Sequence, residues 1–193
     1  MRFAVLTLAL VSAASLSASD NELNLVVSKQ MTRDYSPANL TIEQPVGLTL
    51  RYGRDLIGLG PAQLQLQAGY HAQTSAQTKF SGVDAYELKN TGYSLGAQAQ
   101  WRMGVVLGVG AEIRAEQLEA NTGSVSAKTT QVRPWLTGRV GFSVPLPLVQ
   151  PVFGLEIAVP VSNKSADASS SNEDQLKRLS PNFEVSVYGG IRF

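Results

Sequence analysis

From Ala62 to Gln73 the chain alternates without a break. Ala62, Leu64, Leu66, Ala68, Tyr70 and Ala72 fall on one face, and Gln63, Gln65, Gln67, Gly69, His71 and Gln73 on the other. A period of two marks an extended strand with one apolar and one polar side. The pattern recurs along the chain. In residues 104–116, Val105, Leu107, Val109, Ala111, Ile113 and Ala115 oppose Gly108, Gly110, Glu112, Arg114 and Glu116. Tyr93, Leu95, Ala97, Ala99 and Trp101 oppose Ser94, Gly96, Gln98, Gln100 and Arg102. In residues 133–144, Leu136, Val140, Phe142 and Val144 oppose Arg133, Trp135, Thr137, Arg139 and Ser143. Phe153, Leu155, Ile157 and Val159 oppose Gly154, Glu156 and Ala158. A shorter segment, Val46 to Gly53, sets Leu48, Leu50 and Tyr52 against Thr49 and Arg51. The first strand, about Glu22 to Gln30, has the weakest pattern, with Val26 on its polar face and Lys29 on its apolar one. The last runs from Phe183 to the terminal Phe193.

These segments predict eight strands and no helix, an all-β fold. The connections alternate in length. Residues 32–45, 74–86, 117–128 and 162–181 are long and polar, whereas 54–61, 103–104 and 145–148 are short. Long and short links therefore segregate to opposite ends of an antiparallel up-and-down meander. Short turns at one end and longer loops at the other are the arrangement of a transmembrane β-barrel.

Alternation alone does not say which face is wet, because a soluble barrel fills its interior with apolar residues. The composition of the polar face decides. It carries glycines (69, 96, 108, 110, 141, 154, 190) and glutamines beside a few charges, where a water-facing surface carries abundant Lys and Glu. A crowded lumen needs small residues next to long ones and charges in opposite pairs. Arg51, Arg114, Arg139 and Arg192 are expected to pair there with Glu112, Glu156 and Glu184. On the apolar face the aromatics gather near strand ends. Tyr52, Trp101, Phe142, Phe153 and Phe193 lie toward the short turns, and Tyr70, Tyr93 and Phe183 toward the other end. Two girdles at the membrane interfaces are expected from them. A tilted strand climbs about 2.4 Å per residue, which puts Phe183 and Phe193 about 24 Å apart, near the ~25 Å apolar band of such barrels.

The first residues read as an export signal. Met1-Arg2-Phe3 is a short basic start, AVLTLALVSAASL an apolar stretch, and SLSASD offers cleavage after Ala18 or Ser19. Residues 1–19 are thus expected to be removed, leaving a barrel over 20–193 with 15 basic and 15 acidic residues. That balance implies no nucleic-acid partner. The chain has no Cys and one His, so the residues imply no disulfide, no thiolate site, no multi-histidine metal site and no cofactor.

The ending YGGIRF, a terminal Phe preceded by alternating apolar residues, resembles the signal by which Gram-negative assembly machinery recognises outer-membrane barrels. With the strand count and loop alternation, the chain resembles the small eight-stranded outer-membrane proteins of the OmpA, OmpX and OmpW kind, in barrel-only form. The resemblance implies residence in the outer membrane, contact with its lipid and lipopolysaccharide, and assembly through the C-terminal strand. It supplies no substrate. Some small outer-membrane barrels deacylate or acylate lipid A, which calls for a Ser nucleophile with a His base. Here Ser75 lies four residues after His71, and a continuing strand places both toward the lumen, away from acyl chains. Glu112, Glu116, Glu156 and Glu184 read as structural partners of arginines. No enzyme is expected.

Two functional readings remain. One is a structural or surface-interacting barrel working through four external loops, with Tyr35, Phe80 and Tyr86 as exposed aromatics for an extracellular ligand. The other is a narrow channel or a transporter of small hydrophobic molecules. Pro134 and Pro160 either open the wall locally or mark bulges and strand ends.

Overall fold

The computed structural model describes residues 20–31, 40–80, 83–122, 125–146, 148–162, 177 and 179–193. Its strands, in chain order, are β1 (Asn21–Met31), β2 (Leu40–Ile42), β3 (Val46–Leu59), β4 (Ala62–Phe80), β5 (Val83–Met103), β6 (Val105–Thr122), β7 (Val125–Ser143), β8 (Gln150–Pro160) and β9 (Phe183–Arg192). All pairings are antiparallel, and each strand from β3 to β8 pairs with the one that follows it. β1 pairs with β3 on one side and β9 on the other, so eight strands close into a barrel. The short β2 rides outside this ring, pairing with the far end of β4. Closure runs the full length of the termini, from Glu22 opposite Arg192 to Met31 opposite Phe183. Two further bonds between Asn21 and Phe193 finish the seam, at 3.1 and 2.9 Å. With the ring closed, no edge within it lacks a partner, as a lipid environment demands.

Burial follows the alternation, inside out. Leu50, Leu107, Ile113, Leu155 and Val187 are each at least half exposed, whereas Gln65, Gln98, Arg51 and Glu156 are almost fully buried. Val26 points inward and Lys29 outward.

The tight end of the barrel depends on two glycines in the left-handed region, Gly60 (φ 63°) and Gly104 (φ 80°). A side chain there is strained. The turn at Gly104 lies where the sequence pattern puts it, whereas the one at Gly60 is shorter than that pattern suggests. β3 does not stop at Gly53 but continues to Leu59 through a bulge between Asp55 and Ile57. The extra residue leaves Leu56 and Ile57 both facing outward.

The opposite end differs more. Two of the four segments expected as long loops, 74–86 and 117–128, are mostly strand. β4 to β7 run for 19, 21, 18 and 19 residues, against 11, 14, 11 and 10 for β1, β3, β8 and β9. The β3–β4 ladder ends at Thr49–His71 and the β7–β8 ladder at Trp135–Pro160. Beyond those pairs a four-stranded wall rises from the ring. Pro134 and Pro160 mark the end of the β7–β8 ladder, and the carbonyl of Pro134 accepts from the Val161 amide at 2.8 Å.

In this wall the polarity inverts. Gln73, Ser75, Gln77, Lys128 and Thr130 face outward, while Ala76, Leu88 and Leu118 are buried inside with Ala120, Ala127 and Leu179 packed around the two leucines. The alternation persists, but its apolar side is small and short, so the sequence reads as polar loop. A bulge in β4 between His71 and Thr74 shifts the phase, so that odd-numbered residues face in below it and even-numbered ones above. Ser75 is therefore on the outer surface, not beside His71 in the lumen as a continuous strand would have it.

Adjacent glycines in β9 offer a test of which face is crowded. A Cβ on Gly190 would run into Asn24 Oδ1 and the Leu23 carbonyl, whereas one on Gly189 would meet nothing within 4 Å. Gly190→Ala is expected to destabilise the barrel by about 1–3 kcal/mol, and Gly189→Ala to leave it within about 0.5 kcal/mol of the parent. Urea titration of the folded fraction, read by heat-modifiable gel mobility, checks the pair.

Candidate functional site

The interior is a polar column. Among the described residues, six arginines (51, 102, 114, 133, 139, 192) and six carboxylates (Glu22, Asp55, Glu112, Glu116, Glu156, Glu184) form its ion pairs. Each sits on the inward parity of its strand.

At the tight end, Glu22 and Asp55 lie among three guanidiniums. Arg102 contacts Asp55 and reaches Glu22 at 3.3 Å. Arg192 meets Asp55 at 3.0 Å, and Arg139 meets Glu22 at 2.9 Å. Gln63 accepts from both Arg102 and Arg192. Above them Arg51 grips Glu156 with two parallel bonds, at 2.6 and 2.7 Å, and the two side chains are 3% and 2% exposed. Bidentate geometry of this kind fixes orientation as well as charge. Arg139 lies 3.6 Å from Glu156 and so links the two layers. Its guanidinium also stacks 4.1 Å above the Tyr188 ring. That ring lies along the wall over Gly141 and Gly154, where any Cβ would collide with its hydroxyl.

Nearer the other end, Arg114 bridges Glu112 and Glu184, at 2.5 and 2.6 Å, and Gln30 adds a bond to Glu184 at 2.9 Å. Highest of all, Arg133 pairs with Glu116 at 2.7 Å and donates to the Pro181 carbonyl at 2.9 Å. Trp135, wholly buried, stacks between Arg114 and Arg133, at 4.0 and 5.0 Å to the ring centre. Desolvated cation–π contacts of this sort are worth about 2 kcal/mol each. Glutamines fill one side of the column in a chain: Gln67 donates to Gln65 and Gln98, and Gln100 to the same two.

All seven charges named from the sequence, Arg51, Glu112, Arg114, Arg139, Glu156, Glu184 and Arg192, lie in this column. Five more belong with them. Arg102, Glu116 and Arg133 share the same parity and were legible from it. Glu22 sits on the strand of weakest pattern, and Asp55, on the inward parity of Arg51 and Gly53, was missed because that strand was read as ending at Gly53. His71 has Nδ1 2.9 Å from Thr49 Oγ1, and with Ser75 outside, the serine–histidine pair does not form. Among the described residues no group of three or more metal-ligating side chains occurs.

The aromatics expected as girdles are mostly outward. Tyr70 and Tyr93 pair across β4 and β5 with ring centres 5.3 Å apart, and Phe142 and Phe153 across β7 and β8 at 6.0 Å. Trp101 and Phe193 are exposed, whereas Tyr52 and Phe183 are half-buried. The Tyr52 hydroxyl donates to Asn21 at 2.6 Å. Of the exposed aromatics proposed for ligand contact, Tyr35 and the Phe80 side chain lie outside the described residues. Tyr86 is half-buried within β5, where its backbone amide and carbonyl both bond to Thr78 Oγ1.

No family model matches the chain, and no curated protein matches it. Solved structures do. A major outer membrane protein of Thermus thermophilus is 12% identical over 91% of this chain and 99% of its own, with a TM-score of 0.53. Neisserial surface protein A is 11% identical over 93% and 98%, with a TM-score of 0.48. Ail, the attachment invasion locus protein of Yersinia pestis, is 12% identical over 90% and 97%, with a TM-score of 0.46. Identities this low speak for fold alone. In fold, the chain is an eight-stranded antiparallel transmembrane β-barrel of the small outer-membrane kind.

Proposed function

We propose that the protein is a sealed barrel of a Gram-negative outer membrane that works through its outer rim rather than its lumen. The observation that carries this reading is the ion-pair column. Glu22, Arg139, Glu156 and Arg51 run from the tight end into the barrel's mid-section with side chains no more than 3% exposed. An eight-stranded interior is just wide enough for side chains to fill it. A tube filled by paired charges presents no continuous aqueous path.

The wall formed by β4 to β7 supports the second half of the reading. Its exterior is polar, with surface pairs such as Lys79–Glu43 at 3.4 Å and Lys89–Glu87 at 3.3 Å. Such exposed pairs add little stability. They give a rigid, hydrated surface suited to contact with an extracellular ligand. In the same reading, residues 1–19 direct export and the C-terminal strand ending at Phe193 is read by the assembly machinery. The apolar exterior then meets lipid and lipopolysaccharide. No catalytic role is assigned.

Conductance of the refolded barrel in a planar bilayer tests the sealed lumen. A folded protein is expected to show no discrete openings; steady single-channel steps in the wild type would overturn the reading. The column's structural role has its own signature. Arg51→Ala leaves Glu156 without its bidentate partner and is expected to cost about 3–5 kcal/mol, while the double replacement Arg51→Met, Glu156→Leu costs far less or nothing. Urea-dependent gel mobility of the single and double variants reads this difference, and equal losses would refute it.

A further inference from the structure

The bulge in β4 sits where the wall leaves the ring. His71 pairs with Gly92 and Thr74 with Asn90, so Ala72 and Gln73 drop out of the ladder to β5. Hydroxyls stitch the gap: Thr91 Oγ1 donates to the His71 carbonyl at 3.0 Å, and Thr74 Oγ1 to the Asn90 carbonyl at 3.4 Å. Ala72 on the bulge and Gly92 opposite it border a void of about 10 Å³, which Gln30, His71, Asn90, Arg114 and Glu116 also line. Gly92 has no room for a side chain, since a Cβ there would strike the Ala115 carbonyl at 2.6 Å.

Three shielded polar atoms on residues lining this void have no hydrogen-bond partner in the protein: Gln30 Oε1, His71 Nε2 and Asn90 Oδ1. Gln30 is only 5% exposed, and its Nε2 is committed to Glu184 at 2.9 Å, which fixes the amide orientation. His71 Nδ1 is committed to Thr49, so Nε2 is the ring's free position. The space corresponds to about one water-sized sphere, and a water needs two to four polar partners. Water matches either tautomer of His71, because it both donates and accepts. A bare cation does not suit the lining, since the Arg114 guanidinium shares it.

A second small void lies beside the first and shares Gln30 and Asn90, but its other walls are Pro45, Thr74, Ala76, Leu88, Leu118, Leu179 and Pro181. Apolar spaces of this kind stay dry. The polar void is thus roofed by the leucine cluster of the wall.

We propose that the β4 bulge is a built hydration site, in which one ordered water bridges Gln30, His71 and Asn90 under an apolar cap. The water ties side chains of β1, β4 and β5 together beside the bulge, and so helps hold the phase shift that turns Ser75 outward and Ala76 inward.

A crystal structure of the full-length barrel at a resolution that shows ordered water tests this. The expected result is one density peak within hydrogen-bond distance of His71 Nε2 and of at least one of Gln30 Oε1 and Asn90 Oδ1. Asn90→Leu, or Gln30→Met should the first fail to fold, is expected to displace it, while Ser75→Ala on the outer face retains it. A void closed by direct contact among the three side chains would overturn the proposal. So would a peak held by Arg114 alone, the mark of an anion, or a peak unmoved by the filling variants.

Discussion

A strand ring closed in lipid satisfies its own backbone, but it also encloses whatever points inward. In an eight-stranded barrel the enclosed space is too narrow for bulk water. Every charge placed there must find its opposite within reach, because an unpaired ion in such a medium costs several kcal/mol. The column of six arginines and six carboxylates obeys that constraint, and much else in the molecule follows from it. Long guanidinium side chains need neighbours without bulk, hence Gly108 under Gln98 and Arg139, and the Gly141–Gly154 pair under Tyr188. Arginine rather than lysine suits the task, since a planar fork can hold two carboxylates at once, as Arg114 holds Glu112 and Glu184.

The same chain meets a second environment at its outer end. Where β4 to β7 climb beyond their neighbours, polar residues move to the outside and leucines to the inside, as in a water-soluble sheet. One bulge makes the transition in β4 without breaking the strand. The β5–β6 and β6–β7 ladders run without a shift, and β5 keeps its parity from Tyr86 to Met103, so along these strands only the residue types change. The wall is thus continuous with the ring in backbone while reversed in solvation, and Leu179 and Pro181 from the β8–β9 connection lean over its inner face.

This reversal explains what was legible in the sequence. Within the ring, strong side-chain contrast between faces made strand identity, direction and lumen parity readable, down to Val26 turned in and Lys29 turned out. Arg102, Glu116 and Arg133 carried the right parity as well, so most of the charge column could be traced by alternation alone. In the wall the contrast fades: Ala76, Ala120 and Ala127 are weak apolar markers, and Gln, Thr and Ser flank them, so strands read as loops. The β4 bulge hid more. A one-residue slip reverses every later assignment, which is why Ser75 fell on the wrong face; Asp55 kept the parity of Arg51 and Gly53 and was left in a turn only because the strand was ended at Gly53. Partners across the barrel, such as Arg139 with Glu22 across 117 positions of sequence, follow from closure and from no local pattern.

The linkage between layers bears on what the lumen can do. A transient path past the mid-section requires Arg51 to leave Glu156, and Arg139 to swing from both Glu22 and Glu156 and off the Tyr188 ring. Separating one buried pair costs about 3–5 kcal/mol, which by itself holds the open form to roughly one molecule in 10² to 10⁴. Because Arg139 shares carboxylates with both neighbouring layers, the pairs do not open one at a time, and a path costs more than parting a single pair. The outer wall is under no such restraint: its ion pairs are exposed and individually weak. On the proposed reading, contact with another molecule falls to the rim, and the charge column keeps the scaffold beneath it shut and rigid.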